Sequence, residues 1–174
     1  MALVLDRRGQ ELSRALGGQP HEIRELPVGD ILCEYGEASA WIAERKTAND
    51  LAASIRGGRW FEQTARLHQA GYLRIFFLIE GDLRGTALPY DSLLGACVNA
   101  ELRRNSHVIR TMDLAETAAV VRHLVQKGHL SPGIPSGLQP PAAQSKRKHD
   151  AERETCWLRQ LMCVPSISEH VARA

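Results

Sequence analysis

With 174 residues, 44% of them hydrophobic and 24% charged, the chain can build one ordinary globular domain with its own core plus a short appendage, which excludes a many-domain architecture. A formal net charge of +2 excludes a whole-molecule electrostatic pull on nucleic acid, so any such contact has to come from a local basic surface. Cys33, Cys97, Cys156 and Cys163 form no CxxC pair, the N-terminal residues do not resemble a signal peptide, and apolar runs such as residues 75–79 fall far short of the roughly 20 residues that cross a bilayer; a reduced intracellular compartment and no membrane are expected.

Residues 3–5 are a short apolar run closed by Asp6, which predicts a strand, and residues 11–16 predict a helix ended by Gly17-Gly18. Strands are expected at 21–26 and 31–35, joined by Pro27-Val28-Gly29-Asp30, with a third at 41–45 beyond a turn containing Gly36. Read locally, these three make an antiparallel meander. Thr47 followed by Asp50 resembles a capping box and opens a helix through Leu51, Ala52 and Ile55 that Gly57-Gly58 stops. Residues 60–70 predict another helix, and Ile75-Phe76-Phe77-Leu78-Ile79 a central, buried strand.

A helix follows over about 90–102 and a strand over 108–111. Asp113 and Glu116 form a second capping box, opening a helix with Leu114, Ala118, Val121 and Val125 on one face. Alternating strands and helices imply an α/β sandwich. Trp41, Phe61, Phe76 and Phe77 are expected in the core. From Gly128 to Ser145 the Pro- and Gly-rich composition cannot bury a core and reads as a linker, followed by Lys146-Arg147-Lys148 and a helical stretch at 154–162.

The chemistry concentrates between Asp30 and Asp50. Glu44 and Lys46 are two apart on a predicted strand and project to one face, with Trp41 and Arg45 on the other. Asp30 follows a turn glycine, Asp50 sits on the first turn of the next helix, and Asp6 ends the first strand, so four acids can converge. Converging carboxylates beside a lysine suit a divalent cation that activates water for phosphodiester hydrolysis. Taken singly, Asp50 is also a capping acid, Asp30 a turn residue, and Glu44 with Lys46 a solvated ion pair.

Gly29-Asp30, Glu44-Arg45-Lys46 and Asp50, with Ala53-Ser54-Ile55-Arg56-Gly57-Gly58-Arg59-Trp60 and Glu62-Gln63-Thr64-Ala65-Arg66-Leu67 after them, resemble the XPF/Mus-type structure-specific DNA endonucleases, the Mus branch in particular. The resemblance spans nearly residues 3–128. It implies a restriction-endonuclease-like core, a central mixed β-sheet flanked by helices. It also implies Mg²⁺ or Mn²⁺ held by Asp30, Glu44 and Asp50 with Asp6, catalysis with Arg45 and Lys46, and branched DNA (flaps, forks, junctions) as substrate. A homologous partner subunit, in a heterodimer or a homodimer, is implied too, as is the nucleus if the source is eukaryotic and an intracellular site otherwise. Arg56, Arg59, Gln63 and Arg66 are the candidate DNA-binding residues beside the site. The sequence departs from the family at Gly9 and Gly57, where acidic residues are common.

Residues 159–168 look like the first half of a helix-hairpin-helix, with Ser166 in place of the hairpin glycine. The expected organisation is a nuclease domain over 1–129, a flexible Pro-rich and basic linker over 130–153, and a partial helix-hairpin-helix segment over 154–174. A second reading is a non-catalytic DNA-binding or scaffolding subunit of the same fold; the complete set of acids weighs against it. Apolar surplus on two helices, Leu93, Leu94, Cys97 and Val98 in one and Val120, Val121, Leu124 and Val125 in the other, predicts pairing with another subunit through both.

Overall fold

Leu3, Val4 and Leu5 are apolar toward both faces of an extended segment, a pattern that suits a strand covered on both sides. In the computed structural model, which describes residues 1–35, 40–104 and 106–127, they form β1 (Ala2–Asp6), followed by α1 (Gln10–Leu16), β2 (Glu22–Arg24), β3 (Ile31–Glu34) and β4 (Ala40–Thr47). The chain continues through α2 (Ala48–Arg56), α3 (Arg59–Gln69), β5 (Arg74–Glu80), α4 (Tyr90–Arg104), β6 (His107–Thr111) and α5 (Leu114–Lys127). The predicted linker and tail, Lys146-Arg147-Lys148 and the Gly36 turn lie outside the described residues.

The six strands form one sheet in the order β2-β1-β3-β4-β5-β6. β1 is antiparallel to β3 and β3 to β4, whereas β1/β2, β4/β5 and β5/β6 are parallel. This mixed sheet, with helices on both faces, is the architecture implied by the sequence resemblance. One face packs Leu12 and Leu16 of α1 and Ala118, Val121 and Val125 of α5 against Leu5, Trp41, Phe76 and Leu78. The other packs Leu51 of α2, Trp60 and Leu67 of α3 and Leu93 of α4 against Ile42, Phe77 and Ile79. Among the described residues no helix is long and apolar enough to cross a membrane.

The expected β2-β3-β4 meander is corrected. β2 pairs in parallel with β1, Val4 opposite Glu22 and Asp6 opposite Arg24, so β1 lies between β2 and β3. All three β2 residues are exposed, which suits an edge, and β1, buried on both sides, takes the interior place. Phe61 is also corrected: it is 59% exposed. The buried stripe of α3 is Trp60, Thr64 and Leu67, and Phe61 falls one residue, about 100°, off it. Arg104 covers its ring instead, 5.8 Å from the centroid.

Both capping predictions hold in outline. Thr47 Oγ1 accepts the Asp50 N–H (3.1 Å) and Asp113 Oδ1 that of Glu116 (2.9 Å). The apolar surplus divides between the two helices. On α5, Val120 and Leu124 pack into the chain's own core, so that half of the predicted pairing surface is used internally. On α4, Leu94, Val98 and Leu102, spaced i, i+4, i+8, are 37%, 44% and 81% exposed.

Candidate active site

The site begins with a close approach of two backbones. Gly29 has φ +72°, and a Cβ there would stand 2.7 Å from Ile42 Cγ1 and 3.2 Å from the Ala43 carbonyl oxygen, so only glycine lets the 27–30 turn rest on β4. Asp30 follows, one step past the Ile31–Ala43 pair of the β3/β4 ladder. Its N–H donates to Ala43 O (2.9 Å). Its Oδ2 accepts the Arg45 N–H (2.9 Å), so a carboxylate oxygen replaces the next ladder carbonyl. Glu44 and Lys46 share the α2/α3 face of β4, with Lys46 Nζ 3.3 Å from Glu44 Oε1 and both side chains largely covered.

Asp6 reaches the same place from β1, donating its N–H to Asp30 O (2.8 Å). Its side chain is committed elsewhere: Oδ1 accepts the N–H and Nε–H of Arg8 (3.0 and 2.5 Å), and Oδ2 accepts the Leu26 N–H (2.9 Å). The Arg8 guanidinium, helped by the two backbone donors and opposed by burial, holds the Asp6 carboxyl down at about 2. Asp30 and Glu44 move the other way. Burial pushes both up, and negative neighbours add to it, Asp6 for Asp30 and Asp30 for Glu44, while Lys46 and Arg8 oppose.

Asp6 thereby acquires an acid-dependent structural role. A carboxyl held near 2 against a usual 3.8 contributes stability that is present above about pH 4 and lost as pH falls toward 2. With the Arg8 side chain 76% exposed, solvent screening limits the contribution to about 1–2 kcal/mol. Asp6→Asn is expected to be destabilised by that amount at pH 6 and to converge with wild type near pH 2, as followed by urea denaturation; a gap independent of pH would assign Asp6 no such role.

A cavity of about 470 Å³ opens over these residues, lined by Asp6, Arg8, Glu25, Asp30, Glu44, Gln63 and Arg66, among others. Arg66 Nη2 donates to Pro27 O (3.1 Å). Gln63 Oε1 is buried with no donor. The structure therefore unites Asp6, Asp30, Glu44, Lys46, Gln63 and Arg66. Asp50 does not line the cavity: it is exposed and its Oδ2 accepts the Thr47 hydroxyl (2.7 Å). The Arg45 guanidinium is on the opposite face, bidentate to Glu80. Arg56 donates to Ala87 O (2.6 Å), and Arg59 is exposed at the start of α3.

Arg8 and Glu25 were not singled out from the sequence. The available signal was an arginine pair directly after a strand-terminal acid, and a charged residue just before a Pro-Val-Gly-Asp turn. Among the described residues no group of three or more His, Cys, Asp or Glu is arranged to hold a metal ion. Of the two largely covered carboxylates, Asp30 keeps Oδ1 and Glu44 keeps Oε2 free for such an ion, since the other oxygen of each is taken by Arg45 N–H and Lys46. Two buried, mutually repelling carboxylates fit a hard cation that keeps most of its own water, as Mg²⁺ and Mn²⁺ commonly do.

Comparison with known proteins gives a consistent result. The family model described as the ERCC4 domain matches residues 6–124. The crossover junction endonuclease MUS81 of Arabidopsis thaliana is 30% identical over 173 residues, covering 88% of this chain and 26% of the relative. The structure-specific endonuclease subunit MUS81 of Mus musculus is 33% identical over 149 residues, covering 74% and 27%. The chain thus spans about a quarter of the length of these curated relatives. Among solved structures, XPF from Aeropyrum pernix in complex with DNA superposes with a TM-score of 0.67 at 26% identity, covering 99% of this chain and 78% of that one.

Proposed function

The chain belongs to the ERCC4-domain family of XPF/Mus-type nucleases, and from that membership we propose that it is a structure-specific DNA endonuclease hydrolysing phosphodiester bonds at flaps, forks or junctions in DNA repair and recombination. The observation that carries this reading is the facing pair Asp30 and Glu44, with Lys46 tied to Glu44, on the floor of an open cavity. Relatives named as crossover junction and structure-specific endonucleases, and a neighbour solved with DNA, support the substrate class.

In this proposal Asp30 and Glu44 would hold Mg²⁺ or Mn²⁺, which when bound would supply a Lewis acid for the scissile phosphate and hydroxide near neutral pH. The chain's own groups do the rest. Lys46, held at 3.3 Å by Glu44, keeps a second N–H for the attacking water or a phosphate oxygen. Gln63 Oε1 offers a free acceptor to a water proton. Arg66 and Arg59 meet the DNA backbone, with Arg56 as a further backbone contact. Asp50 stays in the proposed ligand set through its place in the sequence motif, not through its present contact with Thr47. Asp6 acts by holding Arg8 and Leu26 in the cavity wall.

A panel of fluorescent flap, fork, nicked-junction and linear duplex DNAs, with Mg²⁺, Mn²⁺ or EDTA, tests the proposal. Cleavage of branched substrates that requires the metal is expected. Cutting that persists in EDTA, or that does not distinguish branched from linear DNA, would refute it. Binding without cutting would assign the chain to the non-catalytic subunits.

The partner, a homologous subunit or a second copy, is proposed to cover Leu94, Val98 and Leu102 of α4, whose exposed spacing makes one apolar stripe. Leu94→Lys with Val98→Glu is expected to shift a dimer to monomer in light scattering at unchanged thermal stability. An unaltered mass would place the interface elsewhere. By function the protein would work in the nucleus if its source is a eukaryote, and otherwise inside the cell.

A further inference from the structure

We propose that Glu80 and Thr117 are positioning residues of the active site, acting from the opposite face of the sheet through Arg45 on Asp30. The inference rests on the nuclease reading for its kinetic consequence, and on geometry alone for its structural one.

Beyond Ala43, strand β4 has no backbone partner on the β3 side, because β3 starts at Ile31. The Arg45 N–H meets Asp30 Oδ2 there. The direction of that N–H therefore sets where the Asp30 carboxylate stands, and the flanking residues Glu44 and Lys46 turn with it, since neighbours on a strand point to opposite faces. Besides the β4/β5 ladder, what holds Arg45 is its side chain. Its register partner on β5 is Leu78, and Glu80 is two residues further on the same face, the diagonal position that a long side chain can reach.

The contact is bidentate, Nε to Oε2 at 3.0 Å and Nη2 to Oε1 at 2.8 Å, with only 19% and 13% of the two side chains exposed. Such a fork fixes orientation as well as distance. Glu80 is fixed in turn by α5. The Thr117 hydroxyl, wholly buried in the first turn of that helix, lies 3.0 Å from Glu80 Oε2 and 2.7 Å from the Thr111 hydroxyl. The Thr117 hydroxyl has one proton and three acceptors in reach, Glu80 Oε2, the Asp113 carbonyl oxygen at 3.0 Å and the Thr111 hydroxyl; a charged acceptor is the stronger one, and donation to Glu80 leaves Thr117 accepting from Thr111. The carboxylate also faces the positive end of the α5 dipole. A continuous chain of contacts thus runs from α5 through Glu80 and Arg45 to Asp30, and no member but the last lines the cavity.

Glu80→Gln, Thr117→Val and Thr117→Ser in the full chain test this, with three readouts: single-turnover cleavage of flap DNA, Kd for the same DNA, and hydrogen exchange of individual amides by NMR. Glu80→Gln is expected to slow cleavage about 10- to 100-fold, the scale of a small misplacement of reacting groups, at unchanged Kd. The Arg45 amide should exchange faster while amides of the β5/β6 ladder keep their protection. Thr117→Val should do the same to a smaller extent, and Thr117→Ser, which restores the hydroxyl, should return both readouts to wild type. Unaltered exchange at Arg45 in Glu80→Gln overturns the proposal, as does faster exchange spread evenly over the sheet, which would make the pair merely structural. If the wild-type chain cuts no DNA, the nuclease reading fails, and the Arg45 amide still decides the positioning.

Discussion

Asp30→Asn and Glu44→Gln, each alone, are expected to reduce metal-dependent cleavage about a thousandfold or more, the loss of several kcal/mol of metal-supplied stabilisation, while making the metal-free fold at least as stable as wild type. The second half follows from the direction of the shifts. Burial and negative neighbours raise both carboxyls above their usual range. A raised carboxyl stabilises the fold below its unfolded value, and that contribution is lost as pH rises through the folded value. At pH 7, above the usual carboxylate range, the buried pair therefore costs stability, and the neutral isosteres remove the cost. The same sign predicts that Mn²⁺ raises the melting temperature of wild type more at pH 7.5 than at pH 5, and does so far less in either variant. Scanning fluorimetry across that pH range decides it: a metal shift that is equal at both pH values, or that survives in Asp30→Asn, would separate the cation from these carboxylates.

Gly29→Ala is expected to cost about 3 kcal/mol and to abolish cleavage although it removes no functional group. A non-glycine residue at φ +72° loses about 1 kcal/mol or more, and overpacking a tight contact adds about 1–3 kcal/mol. Here the new methyl would meet Ile42 at 2.7 Å and the Ala43 carbonyl at 3.2 Å. Relief of either contact moves the 27–30 turn off β4, and Asp30 moves with it. Gly58→Ala is the matched control, with φ +73° but nothing within 4 Å, and is expected to lose only about 1 kcal/mol. Urea denaturation of the two variants separates backbone strain from contact. Equal losses would show that the Gly29–Ile42 approach carries no energy of its own.

The sequence by itself determined the order of strands and helices, their caps and the common face of Glu44 and Lys46, because periodicity of 2 or 3.6 residues and capping pairs three apart are local properties. The motif from Asp30 to Asp50 also pointed to the chemistry. Only the tertiary structure decided which neighbours those residues meet. That β1 rather than β3 receives β2, that Leu26 joins Arg8 in closing off Asp6, and that Glu80 claims Arg45 are, apart from Arg8, matters of pairing between residues 18, 20 and 35 apart. Local patterning is equally compatible with other partners. The same holds for the apolar residues of α5 and α4: their surplus is visible in the sequence, but whether it is buried at home or left exposed depends on which elements the sheet order brings against each helix. In this fold Val120 and Leu124 of α5 pack, partly buried, against the core that α1 shares, while Leu94, Val98 and Leu102 of α4, a helix of the other face, stay open, because apolar area is satisfied by whatever surface the sheet order brings beside it.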